Sequence, residues 1–256
     1  MTMFMTRGAR VSRAFAATAL LALTASAAQA QGLPAAKDLI ANWAKETNAE
    51  GWKAHKSARM KASFDLPAMG ISANMETVTI YPSQSATKID IPGMGEMRQG
   101  FNGEVGWSTN PMAGPSLITG AQLEGAKEDA NPSNYSRVSP AIISSETVEK
   151  VTINGQECYK VKHTWKSGKT SLDCFAVADG MVVWSQAKQV TPQGEIEVTT
   201  NFSGYKDWGG VKRATTMTMD QMGQQFVITV QGWEWDTVDP KELELPPEIK
   251  TMGEKK

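Results

Sequence analysis

Apolar and polar residues alternate along most of the second half of the chain, between turn signals at nearly even spacing. Six residue pairs that suit tight turns recur there: Asn154-Gly155, Ser167-Gly168, Asp179-Gly180, Gln193-Gly194, Gly209-Gly210 and Met222-Gly223. Asn-Gly and Asp-Gly favour two-residue hairpins because both residues tolerate positive φ. The runs between these turns predict seven long antiparallel strands over residues 146–153, 157–165, 170–177, 181–191, 195–206, 211–220 and 224–237.

The first half predicts one helix, then a hairpin. Apolar residues at helical spacing predict a short amphipathic helix over residues 34–49, with Leu39, Ile40, Trp43 and Ala44 on its apolar stripe. From residue 57 the pattern changes to alternation, and one face of the predicted hairpin carries Met60, Ala62, Phe64, Leu66, Ile71, Ala73 and Met75. Short strands are predicted over residues 86–91, 96–102 and 105–109.

Residues 110–140 interrupt the strand pattern. Glycines and prolines surround one predicted helix over residues 119–130, with Thr119 as its N-cap. An irregular insert of this length in a β-rich chain is typical of a lid or plug across one mouth of the sheet.

The first thirty residues predict a cleaved export signal. Arg7, Arg10 and Arg13 precede an apolar run over residues 14–23, and small residues lead to a cleavage site after Ala30. We expect residues 1–30 to be the signal peptide and residues 31–256 to form a single soluble domain, periplasmic or secreted. Beyond Ala30 the chain has 23 basic and 27 acidic residues without a basic cluster, which excludes a nucleic-acid partner.

The sequence offers little for catalysis. His55 and His163 are the two histidines, and both are expected to be structural. The chain has no H-E-x-x-H, G-x-S-x-G or C-x-x-C motif and no phosphate-binding glycine loop. We therefore expect no enzymatic activity, no metal and no cofactor. A hydrolase with dispersed catalytic residues would require a tight polar cluster with perturbed pKa values inside a cleft.

The two cysteines, Cys158 and Cys174, belong to neighbouring predicted strands. An oxidising compartment allows a disulfide. A two-residue turn at Ser167-Gly168 would place the cysteines on opposite faces, however, and a three-residue loop would place them diagonally. Two buried free thiols are therefore the expected state.

Methionine and tryptophan suggest a binding surface for a lipid. Eleven methionines and eight tryptophans follow residue 30, and both residue types adapt to irregular apolar ligands. A large curved sheet with only two predicted helices lacks the material to fill its concave side. From the parity of the strand faces, the residues expected to contact a lipid are Trp43, Met60, Phe64, Ile71, Met75, Met97, Phe101, Trp107, Met217 and Met219.

Three segments resemble the LolA/LolB-like lipoprotein-carrier superfamily, specifically its outer membrane lipoprotein-sorting proteins. They are a turn over residues 101–111 that contains Trp107 and Asn110-Pro111, a strand pair over residues 202–219, and the ending Glu244-Leu245-Pro246-Pro247-Glu248-Ile249. The resemblance extends over nearly all of residues 31–256. It implies a mainly β fold, an incomplete antiparallel β-barrel whose concave face is covered by the N-terminal helix and the helical insert. It also implies a hydrophobic cavity that holds acyl chains.

Two functions follow as hypotheses. The first is a non-catalytic periplasmic carrier or sensor that binds a lipid or lipoprotein acyl chain, with only peripheral or transient membrane contact. The alternative is an envelope module for protein–protein interaction or stress sensing, with a filled core and no lipid cargo. An open apolar cavity of several hundred Å³ would favour the first.

Overall fold

The computed structural model describes residues 32–191 and 194–253. The predicted signal peptide lies outside them, as does Gln193 of one predicted turn. Four helices are described: α1 (Ala36–Thr47), α2 (Gly120–Ala130), α3 (Pro132–Tyr135) and α4 (Pro247–Gly253). The strands are β1 (Ser57–Leu66), β2 (Ile71–Ile80), β3 (Gln84–Ile91), β4 (Gly95–Phe101), β5 (Gly106–Asn110), β6 (Gly114–Ile118), β7 (Ile142–Ile153), β8 (Gln156–Trp165), β9 (Thr170–Ala176), β10 (Val182–Thr191), β11 (Gly194–Ser203), β12 (Lys206–Asp207), β13 (Lys212–Arg213), β14 (Thr216–Gln221) and β15 (Gln224–Trp235).

Thirteen of these strands form one antiparallel sheet in the order β6-β5-β4-β3-β2-β1-β15-β14-β11-β10-β9-β8-β7. The sheet is curved and does not close, because β6 and β7 remain its two edges. Strands β12 and β13 form a separate two-stranded ribbon. The predicted fold class, a mainly β incomplete barrel with few helices, is confirmed.

The hairpin turns follow the sequence signals closely. Asn154 and Gly155 both have positive φ, 50° and 80°, as do Met222 and Gly223, 55° and 80°. The turn after β8 is different. Trp165 donates its backbone N–H to the Lys169 carbonyl, so this loop has three residues, Lys166 to Gly168.

That three-residue loop sets the register of the cysteines. Cys174 lies opposite Lys160, two residues from Cys158 and on the same face of the sheet. The two Cα atoms are 5.5 Å apart, and the side chains form a disulfide. The expectation of free thiols was wrong, because a diagonal cross-strand pair still falls within the usual Cα separation for a disulfide.

Two segments differ from the predicted strand pattern. A hairpin, β5–β6, occupies part of the region expected to be irregular. The predicted strand over residues 211–220 is divided, because the chain leaves the sheet at Gly204 (φ 66°) and forms the β12–β13 ribbon before it re-enters at β14. The ribbon therefore lies beside the sheet instead of extending it.

Buried residues lie on both faces of the sheet. On the concave face, α1 packs through Trp43 against Val161 and Phe175. On the convex face, Leu243 and Ile249 of the C-terminal segment form a second cluster, with Val78, Ala86 and Trp107. The first cluster closes one side of the concave face and leaves the middle of that face open.

Candidate functional site

The concave face of the sheet, α1, α2 and the β12–β13 ribbon enclose a cavity of about 720 Å³. Its volume lies in the range of small-molecule binding sites, roughly 300–1,000 Å³. The wall comes from most of the sheet, because residues of β1, β2, β3, β4, β6, β10, β11, β14 and β15 contribute to it. The sheet's own side chains do not fill this space.

Helix α2 covers the cavity through its small residues Gly125 and Ala126. It reaches β5 at Gly106, where an added Cβ would lie only 2.9 Å from Cδ1 of Leu123. On its other side, Lys169 of the β8–β9 loop lies 3.3 Å from the Glu128 carboxylate. The helix thus bridges the two halves of the sheet across the opening.

Five of the ten residues expected to contact lipid line this cavity: Trp43, Met60, Met75, Phe101 and Met217. Four others, Phe64, Ile71, Met97 and Met219, lie on the same face by register but nearer one end of the strands, outside the cavity wall. Near that end, the Phe64 and Phe226 rings are 5.8 Å apart. Whether these nine residues contact a lipid remains a prediction.

Trp107 lies on the opposite face from the cavity. Trp107 lies opposite Gly100 of β4, which in turn lies opposite Ala86 of β3, a residue of the convex-face cluster. Only 1% of Trp107 is exposed. Its ring packs beneath Leu243 and Ile249 of the C-terminal segment. The expected position of Trp107 on the cavity face is not observed, because Phe101 pairs with Gly106 and Trp107, the next residue along β5, therefore lies on the other face.

Several lining residues were not identified from sequence. Thr77 and Thr79 continue the face of Met75 along β2, so the alternation alone indicates them. Arg137 and Arg213 lie in irregular or very short segments, where no periodicity marks them. The full set of further aromatic and basic lining residues is Trp52, Tyr81, Phe202, Tyr205, Trp233, Arg137, Lys169, Lys188, Lys212 and Arg213.

The polar side chains on the β2–β3 wall partly satisfy each other. Thr77 and Thr87, which face each other across the strands, share a hydrogen bond of 2.9 Å between their hydroxyls. Each of these two hydroxyls therefore has a hydrogen-bond partner within the wall itself.

Arg137 sits at the edge of the cavity between aromatic rings and an acid. Its guanidinium lies 5.0 Å from the Trp43 ring centroid and 5.6 Å from that of Phe202, and its Nε is 3.1 Å from Asp173 Oδ2. Burial alone would raise the pKa of Asp173, but Arg137 and then His163 outweigh it and hold that pKa at about 2. The acid is therefore ionised, and it compensates the Arg137 charge.

The same acid belongs to a serine–histidine–aspartate arrangement. Ser145 Oγ lies 2.8 Å from His163 Nδ1, and His163 Nε2 lies 3.2 Å from Asp173 Oδ2. None of the three lines the cavity, and His163 is 1% exposed. A nucleophile needs access to its substrate, so we interpret this cluster as a buried polar bridge between β7, β8 and β9.

The charges on the cavity wall are predominantly positive. The lining contains five cationic side chains and two carboxylates, Glu128 and Asp129. Within residues 32–191 and 194–253, no group of three or more His, Cys, Asp or Glu side chains is arranged to hold a metal ion. No described helix is both long and apolar enough to span a membrane.

Comparisons with known proteins identify the fold. No family model and no curated protein matches the sequence. The solved structures that resemble it include a LolA superfamily protein of Nitrosomonas europaea (TM-score 0.54, 11% identity), a DUF1329 family protein of Desulfovibrio piger (0.56, 13%) and a domain described as a putative outer membrane lipoprotein-sorting protein of Vibrio parahaemolyticus (0.52, 15%).

These matches extend over most of both chains. They cover 83%, 81% and 80% of this chain and 99%, 96% and 95% of the respective solved chains. At this level of identity the similarity concerns the fold. The described chain has the fold of LolA superfamily proteins, as the sequence motifs indicated.

Proposed function

We propose that this protein is a non-catalytic carrier or sensor that binds a lipid or lipoprotein acyl chain in the cavity between the curved sheet and its helices. The observation that carries the proposal is the cavity of about 720 Å³, which has Met60, Met75 and Met217 on its wall. Methionine side chains adapt their shape to a flexible chain. The LolA-like fold, which the solved structures share, supports the same proposal.

The energy available to such a site is adequate. Transfer of an acyl chain of about fourteen carbons from water contributes about 10 kcal/mol, at roughly 0.8 kcal/mol per CH₂. Micromolar binding requires about 8 kcal/mol, so some of the transfer energy remains to offset the ordering of the chain.

We also propose that the protein works in the periplasm or outside the cell and touches membranes only transiently. The predicted signal peptide supports export. Membrane contact is supported by four exposed methionines in hairpin turns at one end of the sheet: Met69, Met94, Met112 and Met222, between 45% and 84% exposed. We call these four residues the methionine rim.

The alternative, an envelope interaction or stress-sensing module, would require a filled core. The open cavity favours the carrier over that alternative. The carrier function is compatible with a protein partner that docks on the methionine rim and opens the cavity.

Lipid extraction tests the proposal. Protein purified from its native envelope is expected to release an acyl-containing lipid that mass spectrometry detects. Ala187 lines the cavity and is exposed, so Ala187→Trp should fill the space and reduce the bound lipid. Ala178→Trp, in the exposed turn after β9, is the matched control and should retain it. Protein that is empty after purification and that also fails to bind added palmitate would refute the proposal.

A further inference from the structure

One end of the cavity carries a cation that the described protein does not neutralise. Arg213, in β13 of the ribbon, lines the cavity beside Lys212 and Ala214. The other three arginines of the described residues each have a carboxylate within 4 Å: Arg59 with Glu76 and Glu242, Arg98 with Glu96, and Arg137 with Asp173. Among residues 32–191 and 194–253, Arg213 has no carboxylate at that distance and no side-chain hydrogen bond.

The surroundings of Arg213 make its charge costly. Burial lowers the pKa of Arg213, and the positive charge of Arg137 lowers it further. A buried charge without a counter-ion is unfavourable unless another group compensates it. Arg213 is partly buried, and the positive charge of Arg137 acts on it. Because it has no carboxylate within 4 Å among the residues that the structure describes, the cavity wall at this position offers a place for an anion.

The two tyrosines beside Arg213 do not provide that anion. Burial raises the pKa of Tyr81 to about 12, although the Arg213 charge opposes the rise. Burial also raises the pKa of Tyr205, whose hydroxyl donates to the Val182 carbonyl at 2.8 Å. Both phenols are therefore neutral at physiological pH, and the Tyr81 hydroxyl can serve as a second donor to a bound anion.

The part of the cavity that holds Arg213 and Tyr81 lies away from Met75. Along β2 and its C-terminal extension, Tyr81 follows Met75 by six residues, which corresponds to roughly 20 Å of extended chain at 3.3 Å per residue. Thr77 and Thr79 line the wall between them. Toward the Met75 end, the lining cations Lys169 and Lys188 are paired with Glu128 and Glu195. Arg213, which has no such partner in the described part of the chain, lies at the other end with Tyr81.

We propose that the ligand is an anionic amphiphile, with its carboxylate or phosphate held by Arg213 and Tyr81 and its acyl chain along the Met75 end of the cavity. The inference deepens the proposed function and rests on it. Arginine suits this role because its planar guanidinium binds carboxylates and phosphates through two hydrogen bonds. A free fatty acid and an anionic phospholipid provide the same chemistry from different sources.

Titration calorimetry with three probes of equal chain length separates these sources from a neutral lipid. The probes are palmitate, palmitoyl lysophosphatidic acid and hexadecanol, each below its aggregation concentration. Wild-type protein is expected to bind at least one anionic probe about tenfold or more tightly than hexadecanol, as expected for a hydrogen bond to a charged group. The tighter of the two anionic probes shows whether the site prefers a carboxylate or a phosphate.

Variants of Arg213 test the assignment directly. Arg213→Met should bind the three probes with similar affinity, whereas Arg213→Lys, which keeps the charge, should retain part of the preference. Arg98→Met is the matched control, because Arg98 lies near the Trp107 ring on the convex face and should leave the preference intact. Circular dichroism and the unchanged binding of hexadecanol show that each variant is folded.

The results distinguish this inference from the function on which it rests. Equal wild-type affinity for hexadecanol and both anions, or a preference that survives in Arg213→Met, would overturn the role of Arg213 and leave the acyl carrier intact. Failure of all three probes to bind wild-type protein would overturn both.

Discussion

At the residue scale, Asp173 links stability to pH. The Arg137 guanidinium and His163 hold the pKa of this buried acid at about 2, below the ordinary value of 3.8. Because the pKa is depressed in the folded state, the stabilisation is present above about pH 4 and is lost as the pH falls toward 2. The shift corresponds to about 2 kcal/mol.

We therefore predict that wild-type protein loses about 2 kcal/mol of this contribution between pH 5 and pH 2. Asp173→Asn does not titrate, so the difference in unfolding free energy between wild type and variant should shrink by that amount. Urea unfolding at each pH measures it. Asp90→Asn, at an exposed position of β3, is the control. A wild-type–variant difference that is constant with pH would contradict the prediction.

The disulfide between Cys158 and Cys174 is a second feature at this scale. Both cysteines are fully buried and separated by 16 positions in sequence. A cross-link that closes a loop of this size reduces the entropy of the unfolded chain and typically stabilises by about 3 kcal/mol. We predict a loss of that order in the double variant Cys158→Ala/Cys174→Ala, measured by urea unfolding under non-reducing conditions. Equal midpoints for oxidised wild type and variant would show that the cross-link contributes nothing.

At the element scale, helix α2 covers the cavity with one buried residue, Ala130, whereas α1 buries three. Leu123 lies against Gly106, and on the other side the Lys169–Glu128 pair, with side chains 33% and 43% exposed, links the helix to the β8–β9 loop. A pair with this exposure contributes at most about 1 kcal/mol. We therefore regard α2 as the gate of the cavity.

Reversal of one charge in that pair should open the gate more often. In Glu128→Lys two cations would face each other, and palmitate release should accelerate by about two- to fivefold, since the pair is worth 0.2–1 kcal/mol. Stopped-flow tryptophan fluorescence measures the release, because Trp43, Trp52 and Trp233 line the cavity. Glu124→Lys is the control, as Glu124 pairs with Lys127 within the helix itself. Identical release rates in Glu128→Lys and wild type would show that α2 is not the gate.

The elements themselves were largely predictable, since hairpin signals are local. Asn154 and Gly155 form the predicted tight turn because both residues adopt the positive φ that it requires. Helices α1 and α2 begin and end within two residues of their predicted bounds. The register was harder, because it depends on loop length. The three-residue loop from Lys166 to Gly168 set the diagonal relation of the two cysteines, and the pairing of Phe101 with Gly106 placed Trp107 on the face away from the cavity.

At the scale of the whole molecule, the sheet joins two meanders through the pairing of β1 with β15. Ala58 lies opposite Trp235 across this junction, and the register shifts between Lys61 and Ala62. No local signal specifies a pairing between residues so distant in sequence. Arg137 and Arg213 were missed for the same reason, because both line the cavity only once the segment after α3 and the ribbon come together from distant parts of the chain.

The methionine rim is also a property of the whole molecule. Gln224, the first residue of β15, contacts Met69 at 3.8 Å, and a Cβ on Gly95 would lie 3.2 Å from Pro111. Together with the strand order, these contacts place the four turns side by side at one end of the sheet. None of the turn residues between the paired strand ends, 67–70, 92–94, 111–113 and 222–223, is charged. Exposed apolar turns without a basic residue suit shallow insertion into a lipid surface by apolar contact instead of electrostatic attraction.

We predict that the protein binds phosphatidylcholine vesicles weakly and that added salt does not weaken the binding, because ions screen charges and not apolar contacts. Replacement of all four rim methionines by serine should reduce co-sedimentation with vesicles by about tenfold or more, since each loses apolar area at the lipid surface. Ile143→Ser/Val177→Ser removes two exposed apolar side chains outside the rim and should bind as wild type does. Binding that disappears in salt, or that survives in the serine variant, would show that a charged surface or another part of the molecule meets the membrane.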